Sequence, residues 1–520
     1  MKRRDALLGI GAGAAAMFTS VSPFRWPLAL IGATDRFEPD VEISLVAAPD
    51  EVQIISGART RVWRFTGSVL KGPTTALQTM PNSYLGPVLR LKRGQKVRIR
   101  FHNNLPEPSI VHWHGLDVPE TADGHPRFAV APESEYVYEF EVINRAGTYW
   151  YHPHAHGTTG KQVYQGLAGV LIVTDDEERA LALPDGANDL MCVLQDRTFD
   201  SQNQFKYLAG GMMDQMHGLL GANMLVNGQS PSVLSLATRA YRLRLLNASS
   251  SRIYKLTWDD GTPMTIISAD GGLLEKALEQ PFLTLAPSQR ADVILDLSKH
   301  AVGRSVQLRS APYQSSEVSI DEGGMMGGRM GGMMGGAMGG GVSNGASLLL
   351  MTVNIARKEA AAFQMPARLA SYGDEWAAQS GLPVRKVTLD FAAGQWLLGG
   401  RAFDMTGVAD DERVRAGSTH IWEVSNVGGM MGQQMAHPLH VHGTQFRVLS
   451  RTRPPGATSR PQSVRVGLVD DGWKDTVLVM PNDTVRLQLR FTRYPGLYLY
   501  HCHILEHEDA GMMRNFRVSV

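Results

Sequence analysis

The run Lys96-Val97-Arg98-Ile99-Arg100-Phe101 alternates strictly between charged and apolar side chains. Alternation is the period of a half-buried β-strand, because successive side chains of a strand point to opposite faces. Few helical patterns lie between such runs, which are bounded by Gly, Pro, Asn and Asp and recur after residue 38 at 135–142, 241–246, 306–309 and 484–491. The sequence therefore predicts a mostly antiparallel all-β fold built of sandwiches or barrels.

The length of 520 residues is too great for one ordinary core, and roughly 150 residues per domain gives about three domains. Two stretches that lack strand alternation look like connections: 175–189 is charged and then bears Pro and Gly, and 356–385 is rich in Ala. They divide the chain into predicted domains at 39–175, 188–356 and 384–520.

One segment of the second predicted domain, 323–341, is low in complexity and contains eleven Gly and six Met. Its glycine backbone would lose too much conformational entropy for the segment to pack a core. We therefore expect a mobile loop before the strand at 347–353. The six methionines are Met325, Met326, Met330, Met333, Met334 and Met338.

Composition and charge argue against a nucleic-acid partner and against a membrane-spanning segment. The chain has 51 basic and 50 acidic residues, and only 19% of its residues are charged. No basic run predicts a nucleic-acid partner, and no stretch after the N-terminus has the roughly 18 consecutive apolar residues of a membrane helix. We expect a monomer whose substrate is not selected by bulk charge.

The N-terminal residues 1–33 are predicted to be a removable export signal. Arg3 and Arg4 directly precede an apolar stretch, 6–18, that is too short and too rich in Gly and Ala to span a bilayer. Paired arginines in this position resemble a bacterial twin-arginine signal, which predicts a periplasmic or otherwise exported protein. Ala6 stands where that signal often has Phe, so an ordinary secretory signal is the alternative.

Ten of the sixteen histidines fall in four short clusters. Residues two apart in a strand point to the same face, so each His-x-His pair aims two imidazoles at one place. A single pair is usually a strand with two solvated or core histidines, but four pairs supply eight ligands, enough for three copper ions with open positions for oxygen. The pairs are His112 and His114, His152 and His154, His440 and His442, and His501 and His503.

The last cluster also predicts a second kind of metal site. Cys502 lies between two paired histidines and must therefore point to the opposite face of its strand. His437 differs in parity from His440 and can face the same way, while His507 and Met512 follow shortly after. Two imidazoles, one thiolate and a weak axial thioether are the ligands of a blue-copper site.

These motifs together resemble those of the multicopper oxidase family. The resemblance rests on His112-Trp-His-Gly115, His152-Pro-His-Ala-His-Gly157, His437-Pro-Leu-His-Val-His-Gly443 and His501-Cys-His-Ile-Leu-Glu-His-Glu-Asp-Ala-Gly-Met512. It implies three cupredoxin-like Greek-key β-sandwich domains, and four copper ions that couple four one-electron oxidations to the reduction of dioxygen to water. Carried over by position, it implies type 1 copper on His437, Cys502, His507 and Met512, type 2 copper on His112 and His440, and a type 3 pair on His114, His152, His154, His442, His501 and His503.

Reduction of dioxygen to water consumes protons, so carboxylates near the cluster are expected as donors. Asp123 and Glu508 resemble acidic positions with that role in bacterial members of the family, although each could be a surface carboxylate. His156 lies one step beyond the family's pair and receives no role. Cys192, in an apolar run without a nearby histidine, is predicted to be a buried structural thiol.

Methionine bears on the choice of electron donor among Cu(I), other reduced metal ions, and phenols or aromatic amines. Thioethers are soft ligands suited to Cu(I), and the Gly/Met segment could wrap such an ion. Three more methionines precede His437, where a Cu(I) ion could approach type 1 copper: Met430, Met431 and Met435. The chain thus resembles periplasmic copper-tolerance oxidases more than fungal laccases, except that Gln433 stands where a carboxylate is expected.

Alternatives remain open from the sequence alone. A laccase that oxidises phenols would carry the same copper motifs. The Gly/Met segment could be an insertion without function. A copper-binding or scaffold protein on the same fold is less consistent with twelve expected ligands all being present. A copper nitrite reductase would lack the paired histidines of a three-copper site.

Overall fold

The computed structural model describes residues 37–318, 341–359, 363–373, 377–426, 435–453, 455 and 463–520. The predicted signal at 1–33 lies outside these residues, as do Met430, Met431, Gln433 and all six methionines of the Gly/Met segment. Residues 39–520 form one compact unit. None of the described helices is long and apolar enough to cross a membrane.

The first pair of sheets lies between residues 41 and 174. One sheet has the strand order β2-β1-β5-β7 and the other β3-β4-β9-β8-β6. The strands are β1 Val41–Val52, β2 Thr60–Lys71, β3 Leu77–Gln78, β4 Val88–Lys92, β5 Lys96–Asn103, β6 Val111–His114, β7 Ser134–Glu141, β8 Gly147–Pro153 and β9 Gly169–Thr174. Two helices follow β8 and β9, respectively: α1 Thr159–Tyr164 and α2 Asp176–Ala180.

The second pair of sheets lies between residues 189 and 357. A six-stranded sheet has the order β11-β10-β13-β18-β15-β16, and a five-stranded sheet has the order β12-β20-β19-β14-β17. The strands are β10 Asp189–Arg197, β11 Asn223–Val226, β12 Ser232–Ala237, β13 Ala240–Asn247, β14 Tyr254–Trp258, β15 Met264–Ala269, β16 Gly272–Gln280, β17 Leu283–Leu285, β18 Arg290–Asp296, β19 Ser305–Ser310 and β20 Leu348–Arg357. One helix, α3 Met212–His217, lies between β10 and β11.

The third pair of sheets lies between residues 384 and 519. Its sheets have the orders β22-β21-β24-β28-β26 and β23-β30-β29-β25-β27. The strands are β21 Val384–Ala392, β22 Gln395–Leu398, β23 Arg413–Arg415, β24 Thr419–Ser425, β25 His437–Val441, β26 Gln445–Thr452, β27 Thr476–Val479, β28 Thr484–Arg490, β29 Gly496–Cys502 and β30 Met513–Ser519. The helix α4 Leu505–Asp509 joins β29 to β30. Short 3-10 turns lie at Thr74–Ala76, Pro126–Phe128, Gly186–Asn188, Ser315–Glu317, Asp410–Glu412 and Val464–Gly467.

The alternating runs of the sequence form strands because one face of each run is buried. In β5 the side chains of Val97, Ile99 and Phe101 are fully buried in the core of the first sandwich. On the other face, Arg98 pairs with Glu139 of the neighbouring strand at 2.6 Å. This division of one strand into an apolar and a charged face is the pattern of an antiparallel sandwich.

Each pair of sheets closes over an apolar core of its own. Smaller apolar clusters join the first sandwich to the middle one, around Trp150 and Leu246, and the middle one to the last, around Ala286 and Leu478. The all-β fold predicted from the sequence is confirmed. The pairing of the sheets supports domains at 39–175, 188–356 and 384–520, and these boundaries remain our proposal.

Candidate metal centres

Four strands of the first and last sandwiches carry the first histidine of each pair, and three of these strands end one residue before the second histidine. In the antiparallel register of β6 and β8, His112 lies opposite His152. The strands β25 and β29 repeat this arrangement, with His440 opposite His501. Partners in such a register lie about 5 Å apart, so each strand pair gathers its imidazoles at one point. The second members of the pairs lie two residues further along the chain: His114, His154, His442 and His503.

The first and last sandwiches meet through these eight imidazoles, all of which are buried. His112 Nε2 lies 3.3 Å from Nε2 of His440, and His154 Nε2 lies 3.3 Å from Nε2 of His501. Each contact joins one sandwich to the other. Metal–nitrogen bonds of about 2 Å place two imidazole ligands of one ion at such a separation. The pocket therefore has the dimensions of a site for ions held between the two sandwiches.

Hydrogen bonds determine which nitrogen of each imidazole is free to bind a metal. His442 donates its Nδ1–H to Asp123 Oδ2 at 2.8 Å. His114 differs, because its Nε2–H donates to Asp475 Oδ1 at 3.1 Å and its Nδ1 is left free. A carboxylate or carbonyl that accepts from one ring nitrogen fixes the tautomer and directs the other nitrogen to a metal. Four further rings donate Nδ1–H to a backbone carbonyl at 2.6–3.0 Å and keep Nε2 free: His112, His152, His440 and His501.

His503 is the clearest sign that a ligand belongs in this pocket. Its side chain is buried, yet among the described residues neither ring nitrogen has a hydrogen-bond partner. Its ring centre lies 5.0 Å from that of His114 and 5.2 Å from that of His152. Buried polar groups almost always have a partner, so an orphaned imidazole among other imidazoles fits a metal ligand.

The protonation state of the pocket also fits metal binding. Burial lowers the pKa of His152 to about 4 and that of His154 to about 3. A metal requires the neutral imidazole, which these rings already present at neutral pH. Burial likewise lowers the pKa well below its usual value for His112, His114, His440, His442 and His503. The pocket has four groups of residues whose ligand atoms lie within 4.8 Å of one another: His112, His440 and His442; His112, His114 and His152; His154, His442 and His501; and His114, His440 and Asp475.

Asp475 was not singled out by its sequence, although it contacts two of the histidines. Its Oδ1 accepts from His114, and its backbone carbonyl accepts from His440 Nδ1 at 2.8 Å. Arg290 of the middle sandwich donates to both of its carboxylate oxygens, at 2.8 and 2.5 Å. Asp475 thus contacts the imidazoles of His114 and His440 while Arg290 holds its carboxylate, so it is placed to orient the two rings. No motif marks it, because its partner His114 lies 361 positions away.

A second buried group lies on the other face of the same strands. Cys502 Sγ is 3.4 Å from His437 Nδ1 and 3.8 Å from His507 Nδ1, and the three ligand atoms lie within 4.8 Å of one another. Met512 is fully buried, and its N–H donates to the carbonyl oxygen of His507 at 2.8 Å. Trp396 stacks on the His507 ring at 4.0 Å. Burial raises the pKa of the Cys502 thiol, so a bound metal ion must displace its proton.

The two pockets share the strand pair β25 and β29. In its register Leu439 lies opposite Cys502, and the next pair is His440 opposite His501. Neighbouring positions of a strand face opposite sides, so the thiol and the paired imidazoles are separated by the strand itself. His501 and His503 are bonded through the chain to Cys502, which gives a short covalent connection between the pockets.

The two acidic residues predicted from the sequence both lie in the histidine pocket, and both are buried. Asp123 contacts His442 through Oδ2, while its backbone carbonyl accepts from His112 Nδ1 at 2.6 Å. Gly124 permits this approach, because a side chain there would lie 2.3 Å from the Val111 carbonyl oxygen. Burial, reinforced by nearby acidic groups, raises the pKa of Asp123 well above its usual value.

Glu508 lies on the opposite side of the same pocket. Its Oε2 is 3.2 Å from His501 Nδ1, and its Oε1 is 3.5 Å from His154 Nε2. Burial raises the pKa of this carboxyl, but His154 and His501 outweigh burial and lower the pKa to about 2. Neither acid is a surface carboxylate.

The other residues considered from the sequence lie elsewhere or outside the described residues. His156 contacts Phe403 and belongs to none of the described groups of ligand atoms. Met435 is buried in the core of the last sandwich. Cys192 is buried and free, as predicted, and Cys502 is likewise free.

Comparisons with known proteins agree with this geometry. Two family models, both described as multicopper oxidase, match residues 62–178 and 382–520. A multicopper oxidase, Mco, of Staphylococcus aureus is 33% identical over 436 residues, which cover 84% of this chain and 82% of that protein. The crystal structure of a laccase from Pediococcus acidilactici is similar with a TM-score of 0.73 at 32% identity, over 94% of this chain and 91% of that one.

A third relative is McoA, a multicopper oxidase from the hyperthermophile Aquifex aeolicus. Its crystal structure superposes with a TM-score of 0.75 at 31% identity, over 93% of this chain and 97% of that one. The match covers nearly the full length of both chains. The chain therefore belongs to the multicopper oxidase family: it is an oxidoreductase of cupredoxin-like fold whose cofactors are four copper ions, one of type 1, one of type 2 and two of type 3.

Proposed function

We propose that this multicopper oxidase takes its electrons from Cu(I) and serves in copper tolerance outside the cytoplasm. The observation that carries this proposal is the covering of the Cys502 pocket. His437 and His507 are both buried, and the outer nitrogen of His507, Nε2, donates to the backbone carbonyl of Met216 at 3.1 Å. A bulky phenol needs open contact with such an imidazole edge, whereas a single ion can deliver its electron from a small soft site beside it.

The residues fit the four copper ions in the following way. When bound, copper supplies one-electron chemistry at the type 1 site and reduction of dioxygen at the other three ions. We assign type 1 copper to His437, Cys502, His507 and Met512, type 2 copper to His112 and His440, and the type 3 pair to His114, His152 and His503 on one side and His154, His442 and His501 on the other.

The chain itself supplies the electron connection and the proton groups. Cys502 joins the two pockets through its covalent bonds to His501 and His503, which gives electrons a direct route between them. Asp123 is buried against His442, and we propose that its carboxyl delivers protons to the oxygen being reduced. Glu508 Oε2 lies 3.2 Å from His501 Nδ1, and we propose that this carboxylate helps to position the ring and relays protons on its own side of the pocket.

The described residues on either side of the Gly/Met segment add support. Val318, the last described residue before it, accepts a hydrogen bond from Ala436 N at 2.9 Å, directly beside His437. Beyond the segment, the Val342 carbonyl accepts from Arg252 Nη2 at 2.7 Å. Val318, before the segment, therefore lies beside His437, a proposed ligand of type 1 copper. The thioethers of the segment are soft ligands suited to Cu(I) and contribute nothing specific to a phenol.

Deletion of 323–341 tests the proposal. Because the deletion removes six soft ligands, it should raise the apparent KM for Cu(I) about tenfold. Oxidation of a bulky phenol should stay unchanged or become faster if the segment also covers the entrance. Steady-state oxygen consumption, with Cu(I) held at fixed free concentration by a chelator, measures both.

A matched variant keeps the length of the segment and replaces its six methionines with Ser. It should reproduce the rise in KM for Cu(I) without any gain in phenol oxidation. If both variants keep the wild-type kinetics with Cu(I), the segment is an inert insertion and the Cu(I) proposal loses its main chemical support.

A laccase-type phenol oxidase is the second candidate. The similarity to the Pediococcus acidilactici laccase favours it, since that relative is 32% identical over 94% of this chain. A kcat/KM for a bulky phenol that exceeds the kcat/KM for Cu(I) would decide for this activity.

We also propose export by the twin-arginine route, supported by Arg3 and Arg4 before an apolar stretch. Replacing both arginines with Lys should retain the folded enzyme in the cytoplasm of a bacterial host. Cell fractionation followed by oxidase assay measures the distribution. An exported variant would point to the ordinary secretory route.

A further inference from the structure

The helix α3 carries three methionines beside the type 1 pocket and is not part of any copper motif. Met212 is 76% exposed and Met213 is 47% exposed. Among the large apolar side chains of the described residues, only the C-terminal Val520 is more exposed than Met212. The thioethers of this pair are therefore accessible to an ion from solution.

The spacing of the three methionines brings them to one side of the helix. With 100° of rotation per residue, Met212, Met213 and Met216 fall within an arc of about 100°. Asp214 lies on the opposite side, where its carboxylate accepts from Gly210 N at 2.7 Å and secures the first turn. The three methionines therefore lie on one face of the helix, and Asp214 lies on the opposite face.

The end of α3 is fastened directly to the type 1 pocket. The carbonyl of Met216 accepts from His507 Nε2 at 3.1 Å, while His507 Nδ1 faces Cys502. The Met216 side chain packs against the apolar core that contains Cys502. One hydrogen bond therefore joins α3 directly to His507, a proposed ligand of type 1 copper.

Gly218 makes this approach possible. Its φ is +77°, and a side chain there would lie 2.4 Å from Ser251 Cβ and 2.9 Å from Ile504 Cγ2. The next residue, Leu219, donates its N–H to Glu506 Oε2 at 3.2 Å, which ties the end of α3 to the helix that carries His507. Contacts from the middle sandwich and from α4 therefore hold α3 beside the type 1 pocket.

We propose that Met212, Met213 and Met216 form a Cu(I) binding site on α3 from which the electron passes to type 1 copper through Met216 and His507. This inference rests on the proposed Cu(I) oxidase function and names the position of its substrate. Thioethers bind Cu(I) well and Cu(II) weakly, so loss of the electron releases the ion. Four Cu(I) ions give one electron each, and with four protons one dioxygen yields four Cu(II) ions and two waters.

The test removes the exposed thioethers without changing size. The double variant Met212→Leu with Met213→Leu should fold, because Leu has a similar volume and a high helix propensity. Met224→Leu, which removes a buried thioether from β11 of the same sandwich, is the matched control. Both are prepared as the copper-loaded enzyme.

Binding is measured with Ag(I), a soft monovalent ion that cannot donate an electron here. Titration calorimetry should show that the double variant binds one Ag(I) ion fewer than the wild type, while Met224→Leu binds the same number. In stopped-flow mixing with Cu(I), the double variant should show about tenfold weaker saturation of the bleaching of the blue band. Bleaching by a phenol should be unchanged.

The results separate this site from the proposed function. If the double variant keeps the wild-type Ag(I) stoichiometry and Cu(I) saturation, α3 is not a copper site, whatever the substrate of the enzyme. If the wild type is not bleached by Cu(I) at all, the proposed function fails, and the Ag(I) titration alone then decides whether α3 binds a soft ion. Carrying out both measurements in the 323–341 deletion shows whether α3 acts without the Gly/Met segment.

Discussion

The middle and last sandwiches are similar in architecture but differ in chemistry, and their two cysteines show where the difference lies. Each sandwich pairs two sheets over an apolar core, and each core contains one buried, free cysteine. Burial raises the thiol pKa of both, that of Cys192 to about 12. Cys192 lies opposite Leu245 among apolar side chains, whereas Cys502 has the imidazoles of His437 and His507 beside it. Neighbouring ligands, and not thiol acidity, therefore distinguish a metal site from a structural cysteine.

The middle sandwich nevertheless reaches both pockets, although it supplies none of the proposed copper ligands. Arg290 on β18 holds the Asp475 carboxylate that orients His114. The carbonyl of Met216 on α3 holds His507. The ligands come from the outer two sandwiches, and part of their orientation comes from the one between them. Substitutions in the outer sandwiches and in the middle sandwich test this division of roles.

The largest effect is expected for Cys502→Ser. A serine hydroxyl cannot replace the thiolate of a blue-copper site, so the blue colour should disappear and oxidase activity should fall by about a thousandfold or more. The other three copper ions should remain, because their ligands lie on the opposite face of the strand. Visible absorption, copper content and oxygen consumption measure these effects. A variant that stays blue would refute the assignment of Cys502.

Asp123→Asn extends the comparison to the first sandwich. Loss of a proton donor should slow the reduction of oxygen about a hundredfold, because general acids contribute effects of that order. Anaerobic reduction of type 1 copper by substrate should keep its normal rate. Stopped-flow measurement of bleaching and of reoxidation separates the two steps.

The matched control for Asp123→Asn is Asp117→Asn in the same loop region, where the carboxylate accepts from the Thr492 hydroxyl instead of an imidazole. This variant should reoxidise at nearly the wild-type rate, because burial, and not the Asp117 carboxylate, is the larger cause of the raised pKa of Asp123. Equal slowing of bleaching and reoxidation in Asp123→Asn would indicate that Asp123 acts structurally.

The sequence predicted those features that depend on residues close together in the chain. The alternation in β5 gave the strands, and the parity of Cys502 against His501 gave two pockets on opposite faces, because both depend only on neighbours in one strand. The partnership of Arg290 with Asp475 depends on how two sandwiches pack across 185 positions, and no local pattern records it. The same holds for Met216, which lies 291 positions from His507.

Asp475→Asn tests whether the middle sandwich, through Arg290, helps to orient the copper ligands. An amide presents one acceptor where Arg290 and His114 need two, so the His114 tautomer with a free Nδ1 loses its support. Removal of such an orienting partner weakens metal affinity by about 10–100-fold. Copper content after dialysis against a chelator, together with the electron paramagnetic resonance signal of type 2 copper, measures the loss. A variant that keeps four ions under these conditions would show that the ligands orient themselves.

The smallest effect is expected for Cys192→Ser, the counterpart of Cys502→Ser in the middle sandwich. The substitution buries a hydroxyl among apolar side chains on β10, which destabilises the fold by about 1–3 kcal/mol if the hydroxyl finds no partner. Copper content, blue colour and turnover should all match the wild type, because Cys192 lies in the core and none of the described groups of ligand atoms includes it. The thermal melting midpoint should fall by only a few degrees.

Comparison of melting curves and absorption spectra for the two serine variants isolates the effect of the surrounding imidazoles, since the chemical change is the same in both. Loss of copper from Cys192→Ser would mean that the core of the middle sandwich sets the geometry of the copper pockets as strongly as Arg290 does, and the division of roles between the sandwiches would have to be abandoned.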